Sequence, residues 1–294
     1  MSEGYPNPVF GLAAAFSAVA VVIVAAFALA YFVINADGFD TIDGVGFFFL
    51  CTGVFVLCLA LLIYDLVAKV RECPDVDGLE GCFRSSGIVA TGSALAVMLF
   101  ISVVIVLLTS LLGAPIEADF LDDYTDFQLA TMFMMAGPEE EFLCRFLLIG
   151  IPMALVALIR RHGHPFRMLL GGFGATKAAW IFIIISAIIF AALHLDGWNA
   201  SKLPQIFVTG VIFGYVFSEY GLHATIVMHS VLDCMSILAF YSEAAEVIVM
   251  LGFCAAGLVL LIMVLTDIRR YLPETDTFAP ECDESILKMW MRHR

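Results

Sequence analysis

The chain has 294 residues, 62% of them hydrophobic and 14% charged, with a net charge of −14 and a mean hydropathy of +1.00. Soluble domains carry nearer ~25% charged residues, and no polar stretch here is long enough to form a large soluble domain. The negative balance also argues against the electrostatic footprint of a nucleic-acid-binding protein.

Apolar runs long enough to cross a bilayer core of ~30 Å recur along the whole length. Their spacing predicts eight helical spans, at 9–34, 45–68, 87–112, 128–159, 178–195, 203–220, 222–240 and 247–265. The expected fold class is therefore all-α, a polytopic helical membrane protein with about eight transmembrane helices around an intramembrane polar cavity. Three parts are expected: helices one to three over 1–127, a core of helices four to seven over 128–240, and helix eight with a polar tail over 241–294. The first span reads as a retained membrane helix, because its flank MSEGYPNP has no Lys or Arg and its apolar run outlasts a signal-peptide core.

The basic residues segregate by loop. Lys69, Arg71 and Arg84 follow span two; Arg160, Arg161, Arg167 and Lys177 follow span four; Arg269, Arg270, Lys288, Arg292 and Arg294 follow span eight. The alternate loops hold Asp37, Asp40, Asp43, Glu117, Asp119, Asp122, Asp123 and Asp126, with Lys202 as their one basic residue. An excess of Lys and Arg marks cytoplasmic loops, so the expectation is a multi-pass protein of the cell membrane with both termini in the cytoplasm. Cys73, Cys82 and Cys282 fall in the basic segments, and their spacing fits no common zinc motif. They read as ordinary thiols on the reducing side.

Span four carries GPEEEFLCRF at 137–146. Gly137–Pro138 suggests a break, with Pro138 opening a second helix and Glu139, Glu140 and Glu141 in its first turn, where the helix dipole favours negative charge. That accounts for Glu139 but not for Arg145. Charged groups inside a span are costly, face the protein interior and are functional candidates. Glu141 and Arg145 are four apart and can pair. Glu140 is rotated about 100° from Glu141 and is left free to act elsewhere. Span five ends with His194, which has Phe190 one turn before it. Span seven places His229 and Asp233 on one face. A lone apolar-face histidine is ordinarily a packing residue, but these four groups on three spans would each be unsatisfied in hydrocarbon unless they converge or reach water.

These residues carry a resemblance. EEFLCR (140–145) matches EExxxR, FAALH (190–194) matches FxxxH, and HSVLD (229–233) matches HxxxN/D. In this order the chain resembles the CPBP family, the CAAX prenyl endopeptidases and bacteriocin-processing enzymes also called Abi proteins, over roughly 128–240. The resemblance implies a glutamate-dependent intramembrane endopeptidase. By that likeness Glu140 and His194 activate a water, and His229 and the residue at 233 stabilise the oxyanion, with Glu141 and Arg145 in support. The sequence departs from the family at 233, where Asp stands in place of the common Asn; Asp donates a hydrogen bond only when protonated, or it orients His229.

The chemistry is coherent by itself: a carboxylate in a low-dielectric cavity can serve as general base, and imidazole can stabilise an oxyanion. Zinc is the rival cofactor, since the same four residues have zinc-ligand chemistry, but the compact HExxH spacing is absent and the resemblance implies no cofactor. Neither GxGD nor GxSG, the signatures of other intramembrane proteases, occurs. GGFGA (171–175) reads as a loop, and Gly210 with Gly214 as a GxxxG helix contact. The alternatives from other classes are a non-catalytic scaffold or bacteriocin-immunity-type membrane protein, and a transporter, which would show broken helices in matched halves. The expected partners are a peptide or lipidated-peptide substrate and the bilayer; nothing specifies an oligomer. The peptidase reading demands that Glu140 and His194 lie roughly 4–6 Å apart, the reach of one shared water.

Overall fold

The computed structural model describes residues 8–73, 85–118, 123–161 and 164–266. Among them there are helices and no strand. Helix α1 is Pro8–Ile34, α2 Val45–Arg71, and α3 Gly87–Leu111. Span four is composite: α4 Asp126–Glu141, a π-helical segment Phe142–Gly150, and α5 Ile151–Ile159. Then follow α6 Lys177–Leu193, α7 Leu203–Tyr220, α8 Leu222–Cys234, the short α9 Ile237–Tyr241 and α10 Glu243–Thr266. Eight helical stretches are long and apolar enough to cross a membrane, including a single stretch over Asp126–Ile159 and one over Leu222–Tyr241. The chain is a multi-pass helical membrane protein. The polar tail, with its five basic residues and Cys282, lies outside the described residues, as do Arg84 and Cys82.

Every span is where hydropathy places it, but span four is not broken at Gly137–Pro138. Thr125 forms a capping box with Gln128 and starts the helix well before the proline. Pro138 therefore sits inside α4, and the three glutamates are interior residues, not a first turn. Proline removes one backbone donor. Here the helix continues and widens into π turns after Glu141 instead of ending.

Gly137 has a packing role. A Cβ there would lie 2.7 Å from the backbone nitrogen of Ser230, so its absence is what lets α4 lie against α8. That contact sits one turn before Glu141 and beside His229. Gly210 and Gly214 do the same between α7 and α6, where added Cβ atoms would meet Ala187 at 3.0 Å and Ile183 at 2.8 Å. The GxxxG expectation holds as a helix contact. GGFGA is a loop, as expected: Gly172 and Gly174 donate to the carbonyls of Phe217 and Ser218 at 3.0 and 2.8 Å, and Ala175 donates to Glu219 at 2.7 Å.

One expectation needs correcting. Cys73 is disulfide-bonded and so is not an ordinary thiol. Disulfides persist on oxidising sides of membranes, whereas the charge count puts this loop on the reducing side. The two signals oppose each other on which end faces the cytoplasm.

Gly137→Val is expected to lower stability by about 1–3 kcal/mol, the ordinary cost of overpacking, and to push His229 away from Glu141. Thermal unfolding in detergent checks it; a variant as stable as the parent would show that α4 and α8 have slack at this point.

Candidate active site

The site is built from α4, the end of α6, and α8. Helical rotation gives the three consecutive glutamates three different surroundings. Glu139 is exposed. The side chain of Glu140 is 34% exposed, and that of Glu141 is 0% exposed. Asp233 at 23% and His194 at 20% are partly buried like Glu140, and His229 at 5% is nearly fully buried.

Glu141 is the hinge of the arrangement. Its Oε2 is 3.2 Å from the Nε of Arg145, also fully buried. Its Oε1 accepts from His229 Nδ1 at 2.9 Å. The expected Glu141–Arg145 pair is present, and it has a third member that sequence reasoning did not supply. The guanidinium also donates through Nη1 to Ser186 Oγ at 3.1 Å, and Ser186 in turn donates to the Cys144 carbonyl at 2.7 Å. Its flat faces lie 4.8 Å from the Phe190 ring centre and 5.3 Å from that of Phe213, the geometry of a cation–π contact.

Both imidazoles are oriented through Nδ1. His194 Nδ1 is 2.9 Å from the Phe190 carbonyl. A carbonyl only accepts, so this nitrogen carries the proton and leaves Nε2 toward Glu140. The Phe190 ring meets His194 edge-on at 4.7 Å. The FxxxH spacing thus has a local cause: one residue supplies both an acceptor and a wall. His229 is held by Glu141 on Nδ1 and by a stacked Phe213 at 4.8 Å. Asp233 is not what orients that nitrogen. Its Oδ2 is 3.4 Å from Nε2, the nitrogen that also lies near Glu140.

The remaining polar atoms of the site converge. Glu140 Oε2 is 4.0 Å from His194 Nε2 and 3.8 Å from His229 Nε2, and it is buried with no hydrogen-bond partner among the described residues. These gaps are too long for direct hydrogen bonds and short enough for one bridging water. All six residues singled out by sequence are brought together. Phe213, Ser186 and the second role of Glu141 were not foreseen. They bond or stack across helices, and no motif spacing encodes that. Among the described residues no group of three or more His, Cys, Asp or Glu is arranged to hold a metal ion.

Comparison with known proteins bears on this region. Residues 125–235 match a family model described as Rce1-like, type II CAAX prenyl endopeptidase. The match covers less than half of the chain, and it contains α4 through α8 with every site residue named above. No curated protein and no solved structure matches the chain. The family is one of proteases that act on peptides in a membrane setting.

Removing Arg145 leaves Glu141 as an uncompensated buried charge. Arg145→Ala is expected to cost ~3–5 kcal/mol, read as a fall in thermal stability in detergent. Unchanged stability would mean that His229 alone suffices to hold Glu141.

Proposed function

We propose that this protein, with residues 125–235 as the core of a CAAX-type membrane protease, hydrolyses a peptide bond of a membrane-associated substrate with water activated by Glu140 and His194. The observation that carries the reading is the buried, unpartnered oxygen of Glu140 held between two imidazole nitrogens at 3.8 and 4.0 Å. A carboxylate kept so is ready to take a proton from water. His194 Nε2, whose lone pair faces the cavity, accepts the second water hydrogen and fixes the direction of the oxygen.

The steps balance with the chain's own groups. Glu140 takes one proton as the water oxygen bonds to the scissile carbonyl carbon. The carbonyl oxygen becomes an oxyanion and accepts from His229 Nε2–H, the doubly protonated ring donating Nδ1–H to Glu141 at the same time. Donors of this kind are worth ~3–4 kcal/mol each in the transition state. The tetrahedral intermediate collapses with cleavage of the C–N bond, and Glu140 returns its proton to the leaving amine. Asp233, beside His229 Nε2, adds a second donor when protonated. The rigid support is Arg145–Glu141–His229, which holds the imidazole before substrate arrives, as preorganised catalysis requires.

Glu140→Gln keeps the size and loses the base. It should reduce peptide cleavage in detergent by at least ~100-fold, the usual weight of a general base, with little change in thermal stability. Cleavage at the parent rate would sink the glutamate mechanism. Metal independence is part of the proposal, resting on the lack of compact zinc spacing and the family resemblance. A tight chelator should therefore leave activity intact; loss restored by stoichiometric zinc would establish a metalloprotease instead.

A further inference from the structure

Two carboxylates meet at one nitrogen of the site. Asp233 Oδ2 is 3.4 Å and Glu140 Oε2 is 3.8 Å from His229 Nε2. The other ring nitrogen is taken by Glu141 at 2.9 Å, so Nε2 has a single N–H on which both acids converge. The one guanidinium beside them is committed to Glu141 and Ser186. From neighbouring elements, the groups that act on Asp233 are Glu140 on α4, His194 at the end of α6 and Lys202 just before α7. On its own helix they are His229, with the Cys234 thiol next in the chain. Glu141 and Arg145 act on Glu140 from one turn of the same span.

The peptidase reaction asks opposite things of the two acids. Glu140 has to be ionised to take a proton from water. An ionised Asp233 would oppose the reaction twice. It would hold the Nε2–H that the oxyanion needs, and its charge would repel the oxyanion as it forms. A protonated Asp233 reverses both effects, since a neutral carboxyl donates one O–H. Two carboxylates in one site do not readily ionise together, and acid and base roles divide where the surroundings of such a pair differ. Here they differ in the required direction. Glu140 is the more exposed, at 34% against 23%. It also lies near two imidazole nitrogens, at 3.8 and 4.0 Å, whereas Asp233 has one at ion-pair distance among the described residues.

We propose that Glu140 and Asp233 share a single proton, that Asp233 carries it in the resting site, and that cleavage is confined to the pH range in which the pair holds one proton. This rests on the peptidase reading and adds to it a built-in control by pH. Asp233 keeps its proton throughout: its O–H donates to the oxyanion as that forms, and no bond breaks at Asp233 when the intermediate collapses. The asparagine common at this place in the resembling family would donate at any pH. The acid donates only while protonated, so the substitution makes the second donor conditional. Cleavage falls as pH drops and Glu140 gains a proton. It falls again as pH rises and Asp233 loses its own.

The test has two readouts on the full-length protein in detergent. The first is peptide cleavage against pH for the parent and Asp233→Asn, each scaled to its own maximum. Where the parent has fallen about tenfold on the alkaline side, the loss expected for one pH unit beyond a single titration, Asp233→Asn should have fallen less than about twofold. The acid side should coincide. An alkaline fall that Asp233→Asn keeps belongs to His229 and overturns the proposal. The second readout is infrared titration without substrate. The parent at neutral pH should show the carbonyl band of a protonated carboxyl that both Asp233→Asn and Asp233→Ser lose. No such band in the parent overturns the proposal, as does a band that survives in both variants. Two variants keep the assignment secure if one folds poorly. The band lost on replacing Asp233, in a protein that cleaves no peptide at any pH, would uphold the shared proton and sink the peptidase reading alone.

Discussion

The buried carboxylate of Glu141 is the group on which the rest of the site depends. A carboxylate taken fully out of water is strongly destabilising unless both oxygens are engaged. One oxygen takes Arg145, four residues on in the same span, and the other takes His229 on α8. That bond fixes the distance and rotation between two helices, and it fixes which nitrogen of His229 faces Glu140. The same bond thus sets both packing and chemistry. This is why the arginine lies in the middle of a hydrophobic span: it neutralises a group that must be there to hold an imidazole.

Packing supports the charge arrangement from outside. Phe190 and Phe213 wall both the guanidinium and the imidazoles, excluding water from charges that gain strength in a low dielectric. Those rings reach the site because α6 and α7 approach closely at Gly210 and Gly214, and α4 reaches α8 because Gly137 has no side chain. The π-helical segment follows Glu141 directly and carries Arg145. Its carbonyl at Cys144 is taken by Ser186, so the irregular backbone is satisfied where lipid offers no partner.

The spans were legible because membrane helices need ~20 consecutive apolar residues, a signal that local sequence carries completely. The site residues were legible for the complementary reason: ionisable groups in such runs are few, so each one stands out. What could not be read was pairing across helices. Asp233 was the one candidate to orient His229, because i,i+4 spacing speaks only for contacts within one helix. The interhelical bond to Glu141 depends on how closely α4 and α8 approach. The supposed break at Pro138 failed for a related reason. Proline and glycine punctuate soluble helices reliably, but inside a span the capping box at Thr125 and the contact with Ser230 outweigh them. The thiol reading of Cys73 failed because charge bias and the lack of a zinc spacing, on which it rested, do not speak to disulfide pairing.

The three consecutive glutamates separate the enzymatic reading from a scaffold. Rotation by about 100° per residue sends Glu139 outward, Glu140 toward the two imidazoles and Glu141 to the core. Glu141 is explained by folding, since its two partners compensate its burial. Glu139 is exposed and needs no partner. Glu140 is explained by neither. One of its oxygens is buried without a hydrogen bond, near two imidazoles that already have their own anchors and gain nothing structural from it. A scaffold would be more stable with glutamine or an apolar residue at 140, because a polar group left unsatisfied only costs stability. Holding a reactive carboxylate a water's width from two oriented nitrogens is useful where that water is to be consumed.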